Sequence, residues 1–221
     1  SHCIGLPAPT GPGNPGGNYI HQAYQNNGPD DRTTDMGDCN VDRRHIFNAT
    51  MIATTPKFAN NTLRMIASDW SFSTIYQQRS GAPLTMTLGT DVALNGFSNV
   101  NSAGSNQRPN QVLANAYGDR SSLTNYFNPA AFAFPAPGTY GNIGRNNLVG
   151  PGFWEWDESV SRRFQVREGK TLEFRAEAFN ITNSLKRGLP GTNLASPNTF
   201  GRIIASASDP RIMQFAIKYV F

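Results

Sequence analysis

No run of about 18 apolar residues occurs in the chain, so no transmembrane helix can be drawn through it. Histidine is scarce, with three residues, and cysteine scarcer, with two. Neither cysteine belongs to a C-x-x-C or a Cys/His spacing that would hold a metal. Cys3 and Cys39 both lie in the polar N-terminal region. A disulfide formed in an oxidising compartment, two free thiols, and partners in a segment further upstream all stay open for them. Charge is sparse and mixed, 19 Lys and Arg against 15 Asp and Glu, for a net charge of +4. The pI near 9.3 invites a nucleic-acid reading, but the basic residues are scattered and no basic tract exists, so no nucleic-acid partner is expected. The start, Ser1-His2-Cys3, lacks an initiator Met and a signal peptide. It gives the expectation of a mature product or a fragment of something longer.

Signatures of catalysis are also missing. His2, His21 and His45 are far apart in sequence, and no nucleophile-elbow pattern accompanies them. The glycines of Gly138-Thr-Tyr-Gly-Asn-Ile-Gly144 lack the preceding strand and following helix of a dinucleotide fingerprint. Gly169-Lys170-Thr171 ends like a phosphate-binding loop, but position 164 is Phe where that motif needs Gly. Asp30, Asp31, Asp35 and Asp38 could offer oxygens to calcium, yet they lack the EF-hand order and read as a solvated acidic turn. Asn48, Asn60 and Asn180 each open a glycosylation sequon, and two of the three fall inside expected strands. No enzyme, catalytic residue, metal or cofactor is expected.

What the chain does have is period two. In the last eleven residues, Met213, Phe215, Ile217, Tyr219 and Phe221 alternate with Gln214, Ala216, Lys218 and Val220. That spacing gives a β-strand with one apolar face, long enough to cross a bilayer with tilt. Strands are expected at about 45–55, 68–88, 153–165, 170–182 and 211–221. The first carries Phe47, Ala49, Met51 and Ala53 on one face. The second is bent at Gly81-Ala82-Pro83. Between them lie segments rich in Gly, Pro, Asn and Ser at 1–43, 89–152 and 183–210.

These connections run long, short, long, short, long. A compact soluble domain does not accommodate some sixty residues of unpatterned loop, whereas an outer-membrane barrel has short turns on one side and long loops on the other. The fold class is therefore all-β: antiparallel strands of a transmembrane outer-membrane barrel with long external loops, forming an open curved sheet when the rest of the barrel is missing. The face of Phe164 and Val160 matches that of Leu172 and Ala176 if Val166 opposes Lys170. That leaves a three-residue loop, Arg167-Glu168-Gly169. The opposite face then pairs Arg163 with Glu173 and brings Ser161 near Arg175. Lumen-facing positions are Arg163, Glu173, Arg175, Glu177, Gln214 and Lys218. Trp70, Trp154 and Trp156, with Tyr219 and Phe221, lie near strand ends and read as the aromatic girdle. Glu158 falls on the apolar face, where a bulge or a register change beside it is one way to accommodate the charge. A secreted β-sandwich that binds carbohydrate or another surface is the alternative, and it would use the same alternation.

Several segments also resemble a known family. Asp42-Arg-Arg-His-Ile-Phe47, Gln78-Arg-Ser-Gly-Ala-Pro-Leu84, Gly141-Asn-Ile-Gly-Arg-Asn-Asn147 and Gly150-Pro-Gly-Phe-Trp-Glu-Trp-Asp157 occur in this order. Leu172-Glu-Phe-Arg-Ala-Glu-Ala-Phe-Asn-Ile-Thr-Asn183, Phe200-Gly-Arg-Ile203 and the terminal strand follow. From about residue 40 onward the series resembles the C-terminal end of Oar-like TonB-dependent receptors, those of acidobacterial type with a carboxypeptidase-regulatory-like domain. The resemblance implies a barrel of about 22 strands with a plugged lumen, of which this chain supplies about five. It implies outer-membrane lipid, the barrel assembly machinery and TonB as partners, TonB acting through a plug that this sequence does not contain. It also implies that Met213, Phe215, Ile217, Tyr219 and Phe221 face lipid and form the assembly signal. The ligand stays open among siderophores, oligosaccharides, peptides and secreted proteins.

Overall fold

Two-residue periodicity dictates the five long strands of the molecule. The structure is a computed structural model and describes residues 2–4, 36–39, 41–94, 107–207 and 209–221. In chain order the elements are β1 (His2–Ile4), β2 (Met36–Asp38), β3 (Ile46–Thr54), helix α1 (Asn61–Ala67), β4 (Trp70–Arg79), β5 (Pro83–Leu84), β6 (Asn110–Gln111), β7 (Phe132–Ala133), β8 (Leu148–Val149), β9 (Phe153–Arg167), β10 (Lys170–Phe179) and β11 (Ile212–Val220). They fall into two compact units. One consists of His45–Ser80, Phe153–Lys186 and Ser208–Phe221, and the other of Ser1–Arg44, Gly81–Gly152 and Arg187–Ala207.

The first unit is a five-stranded antiparallel meander in the order β11-β10-β9-β4-β3. Spatial neighbours are also neighbours among the long strands in sequence, so each pairing is a simple reversal. At one end of the sheet the connections are short: residues 55–69 between β3 and β4, and the turn at 168–169 between β9 and β10. At the other end they run from 80 to 152 and from 180 to 211. The sheet is not closed among the described residues, and β3 and β11 form its two edges. An antiparallel all-β architecture with sorted connections is thus what the structure holds.

Three details differ from the sequence expectation. The extended segment expected over 68–88 stops at Arg79. Beyond Gly81-Ala82 the short β5 belongs to the second unit and pairs within it with β8. The connection after β3 contains α1, whose seven residues are too few to show a helical period. Asn60 caps it, its Oδ1 accepting from the amides of Thr62 at 2.9 Å and Leu63 at 3.3 Å. The β9–β10 turn is tighter than the three-residue loop. Arg167 opposes Lys170, and the register shifts before Thr171↔Gln165, so Val166 is the extra residue of a bulge. Beyond that bulge Phe164↔Leu172, Arg163↔Glu173, Ser161↔Arg175 and Val160↔Ala176 pair as the alternation requires. Gly169 has a φ of +72° and open space about its Cβ position. Its role is therefore conformational and not steric.

Replacing Gly169 with Val should cost about 1–2 kcal/mol through the left-handed backbone alone, and Asn, which tolerates that region, should cost less. A urea refolding titration into detergent or bilayer reads both. Equal stability of Val, Asn and Gly at this position would mean that the turn changes conformation.

Candidate functional site

Residues directly opposed in antiparallel strands share a face of the sheet, so the register sorts every side chain. One face carries Phe47, Ala49, Met51 and Ala53 of β3, and Trp70, Phe72, Thr74 and Tyr76 of β4. It continues through Trp154, Trp156, Val160 and Phe164 of β9 to Leu172, Phe174, Ala176 and Ala178 of β10. Met213, Phe215, Ile217 and Tyr219 of β11 complete it. Phe215 and Ile217 are 66% and 74% exposed, so no second sheet covers them and the β-sandwich alternative lacks its core. Phe221, just past β11, stacks on Tyr219 at 6.1 Å.

Aromatic rings concentrate at the two ends of this face. Phe47, Tyr76, Trp154 and Trp156 lie at the loop end, where Tyr76 contacts both Phe47 and Trp154 at about 6 Å. Trp70, Phe72, Phe164, Tyr219 and Phe221 lie toward the turn end. From Trp154 to Phe164 the strand advances about 33 Å at about 3.3 Å per residue. A tilt of about 40° reduces this to about 25 Å, the height of the apolar band of outer-membrane barrels.

Two charged residues interrupt the apolar face. At Glu158 no bulge forms: the register runs unbroken through Thr74↔Glu158 and Glu158↔Ala178. Its carboxylate is instead accommodated by a neighbour, accepting from Trp156 Nε1 at 3.2 Å; the same indole N–H also reaches Thr74 Oγ1. Arg162 is the second, opposite Trp70 and Phe174, and sequence reasoning missed it. Extending the Val160, Phe164 alternation by one step places it on the face. Its guanidinium lies 5.2 Å from the Trp70 ring centre and 4.6 Å from that of Phe164, and donates to the Met65 carbonyl of α1.

The reverse face is polar. Arg163, Glu173, Arg175, Glu177, Gln214 and Lys218 all lie on it, with Glu173 opposite Lys218 and Glu177 opposite Gln214. Arg163 Nε donates to Glu173 Oε2 at 3.1 Å and Arg175 Nη2 to Glu173 Oε1 at 2.8 Å, while Arg175 reaches Glu177 at 3.7 Å. With the arginines half-exposed or more, such pairs each contribute about 0–1 kcal/mol. An open groove of about 480 Å³ near the turn end is lined by Arg163, Glu173 and Arg175 with Asp69, Thr54, Thr55, Ser71 and Ser161. Nearer the loop end Lys186 forms an ion pair with Glu155 and lies over the Phe153 ring.

The long connections are not structureless. The second unit has its own core of Met86, Ala116, Tyr126, Phe127, Ala131, Phe132, Ile143, Leu148, Phe200 and Ile203. Tyr126, Phe127 and Tyr117 pack ring against ring within 6.2 Å. Arg120 lies over Tyr117 at 4.6 Å. Burial raises the pKa of the Tyr126 hydroxyl and Arg120 opposes the shift, so at neutral pH the hydroxyl stays protonated and donates to the Val149 carbonyl at 3.1 Å. Ser121, donating from both its hydroxyl and its amide, lowers the pKa of Asp119. Buried Gln107 clamps a turn, accepting from the amides of Val92 and Ala93 and donating to Asp91.

Several of the segments that resemble the receptor family meet one another or the loop core. Asn180, in the left-handed region at φ +51°, ends β10; its amide donates to Asp157 Oδ1 at 2.8 Å, and its side chain holds Ser184. His45 and Ser80 exchange hydrogen bonds. Tyr126 N and Phe127 N both donate to the Gly201 carbonyl. Cys39 is disulfide-bonded, and the sequence holds one other cysteine, Cys3, which faces Gly37 in the β1–β2 ladder. Of the acidic turn, Asp38 pairs with Arg44 at 3.6 Å. Asp30, Asp31, Asp35 and His21 lie outside the described residues, as do most of 1–43 and residues 95–106.

A family model described as an outer membrane beta barrel domain matches residues 1–214. No curated protein and no solved structure matches the chain.

Phe127 is fully buried in the loop unit. Phe127→Ala should cost that unit about 3–5 kcal/mol and open it to protease, while the sheet keeps the heat-modifiable electrophoretic mobility expected of a folded barrel. Loss of both together would show that the two units unfold as one.

Proposed function

The chain belongs to the outer membrane beta barrel domain family and is an outer-membrane protein, and from that premise we propose that it forms the C-terminal strands and ligand-facing loops of a TonB-dependent, Oar-like receptor. The observation supporting the membrane part most directly is the uncovered apolar face with rings at both ends. The receptor part rests on the resemblance, whose segments occur in the family's order and several of which meet in space. In this reading Met213, Phe215, Ile217, Tyr219 and Phe221 face lipid, and the last aromatic positions present the signal read by the barrel assembly machinery. Trp70, Trp154 and Trp156 sit in the interfacial girdles. Arg163, Glu173, Arg175, Glu177, Gln214 and Lys218 line the lumen, where water screens their charges.

The long connections are extracellular and the turn end is periplasmic. Ligand capture falls to the folded loop unit. Transport is driven by TonB through a plug outside this sequence, and no reaction is assigned to the chain. An ordered loop unit suits a receptor because a binding surface built on its own core loses less conformational entropy on capture than a flexible loop.

Single cysteines test the orientation in intact cells. Ala136→Cys, on an exposed position of the loop unit, should react with a membrane-impermeant maleimide. Glu168→Cys, in the β9–β10 turn, should react only after the outer membrane is permeabilised. The reverse pattern would invert the topology, and labelling of both would place the chain outside the membrane. Ligand uptake abolished by deleting TonB would support the receptor assignment, and uptake indifferent to TonB would remove it.

Phe215→Arg places a charge mid-strand on the proposed lipid face. It should destabilise the protein by about 2–4 kcal/mol in a bilayer refolding titration if that position is near the midplane. A cost near zero would put the face in water.

A further inference from the structure

We propose that an inner-leaflet phospholipid binds at the turn end, its phosphodiester held by the ring-caged guanidinium of Arg162 and its upper acyl chains by the apolar side chains of α1. The inference rests on the membrane reading above, which puts the turn end of the sheet at the periplasmic leaflet. Arginine keeps its charge at any accessible pH and offers five N–H donors. In Arg162 one hydrogen bond is formed, from Nη2 to the Met65 carbonyl, and Nε is enclosed without a partner. No carboxylate pairs with it among the described residues. The acidic side chain nearest along the same face of its strand, Glu158, is engaged by the Trp156 indole.

A cation on an otherwise apolar face needs either water or an anion. The rings of Trp70 and Phe164 hold the guanidinium in place, which costs it the freedom to swing toward water. Both rings belong to the aromatic cluster at the turn end, so the charge lies at headgroup depth, where the available anion is a lipid phosphate. Guanidinium and phosphate match as a fork with two parallel hydrogen bonds, and the unused Nη donors are free to form it.

Helix α1 fits the same occupant. Leu63, Met65 and Ile66 are all at least half-exposed, a large apolar load for a seven-residue helix facing water. Trp70 Nε1 donates to the Ile66 carbonyl and Arg162 to that of Met65, so the helix is fastened beside the guanidinium from two sides. Beside a bilayer those three side chains meet the upper acyl chains of the lipid whose phosphate Arg162 holds.

The test uses the complete protein reconstituted in vesicles of phosphatidylethanolamine and phosphatidylglycerol, then extracted in mild detergent and weighed by native mass spectrometry. Wild type should retain a phospholipid, and Arg162→Gln should retain on the order of tenfold less, the loss expected for one charge-assisted contact. Arg162→Lys keeps the charge without the fork and should fall between the two; it also keeps the site testable if the Gln variant folds poorly. Retention by Arg162→Gln equal to wild type, or displacement of the lipid by inorganic phosphate, would overturn the proposal. A costly Phe215→Arg alongside unchanged retention would remove this site and leave the membrane reading standing. A costless Phe215→Arg would remove both.

Discussion

In hydrocarbon a backbone amide or carbonyl has no water to turn to, so each must find its partner in the ladder. The five-stranded sheet follows from that constraint. Its register runs without interruption along β3–β4, β4–β9 and β10–β11. The one shift, at Lys170/Thr171, sits beside the β9–β10 turn, at the end of the band. A bulge at Glu158 would have relieved one misplaced carboxylate at the expense of ladder hydrogen bonds in the middle of the strand. The structure keeps the ladder and gives the carboxylate an indole N–H instead. An unbroken register in turn fixes the faces, because a slip of one residue would exchange all positions of the apolar and polar faces at once.

The same constraint explains what could be read from sequence. Strands that obey it must alternate strictly, and the alternation of Met213 to Phe221 or of Phe164 against Leu172 is visible without coordinates. The loop unit answers to a different physics. Its core collects Met86, Phe127, Phe132, Ile143 and Phe200 from segments separated by tens of residues, with no period linking them. Much of its order is polar: the Gln107 clamp, and the Asn146 amide whose side chain accepts from Thr85 and reaches the Asp38 carbonyl. Asn, Gly and Pro in such number read as loop because each bends the chain locally. Whether those bends converge on a core is decided by contacts that one sequence does not display. Helix α1 escaped for a simpler reason, being shorter than two full turns.

The segments behind the family resemblance prove to be chiefly architectural. Asn180 stops β10 and meets Asp157, Gly201 offers its carbonyl to Tyr126 and Phe127, and Ile143, Phe200 and Ile203 are core. Residues with these duties depend on backbone geometry and packing, and they are indifferent to the ligand. A likeness carried by them argues for a shared way of folding the barrel end and its loops. In the proposed receptor reading, ligand choice belongs to exposed side chains between the segments, such as Phe134, which the core does not constrain.

Arg162 and Arg163 show how far one step along a strand can carry a side chain. Period two sends Arg163 to the polar face, where Glu173 meets it in a solvated pair that a chloride or a water molecule could replace at little cost. Arg162 goes to the apolar face, and there it stacks on two rings and takes a helix carbonyl. Both carry the same charge, and the difference between them lies entirely in the medium each face meets. Near the midplane Arg162 would cost the fold about 2–4 kcal/mol, but near an interface the cost falls to about 0–1 kcal/mol. Its place among the rings at the turn end, and not halfway along β9 beside Val160, is what makes an arginine tolerable on that face.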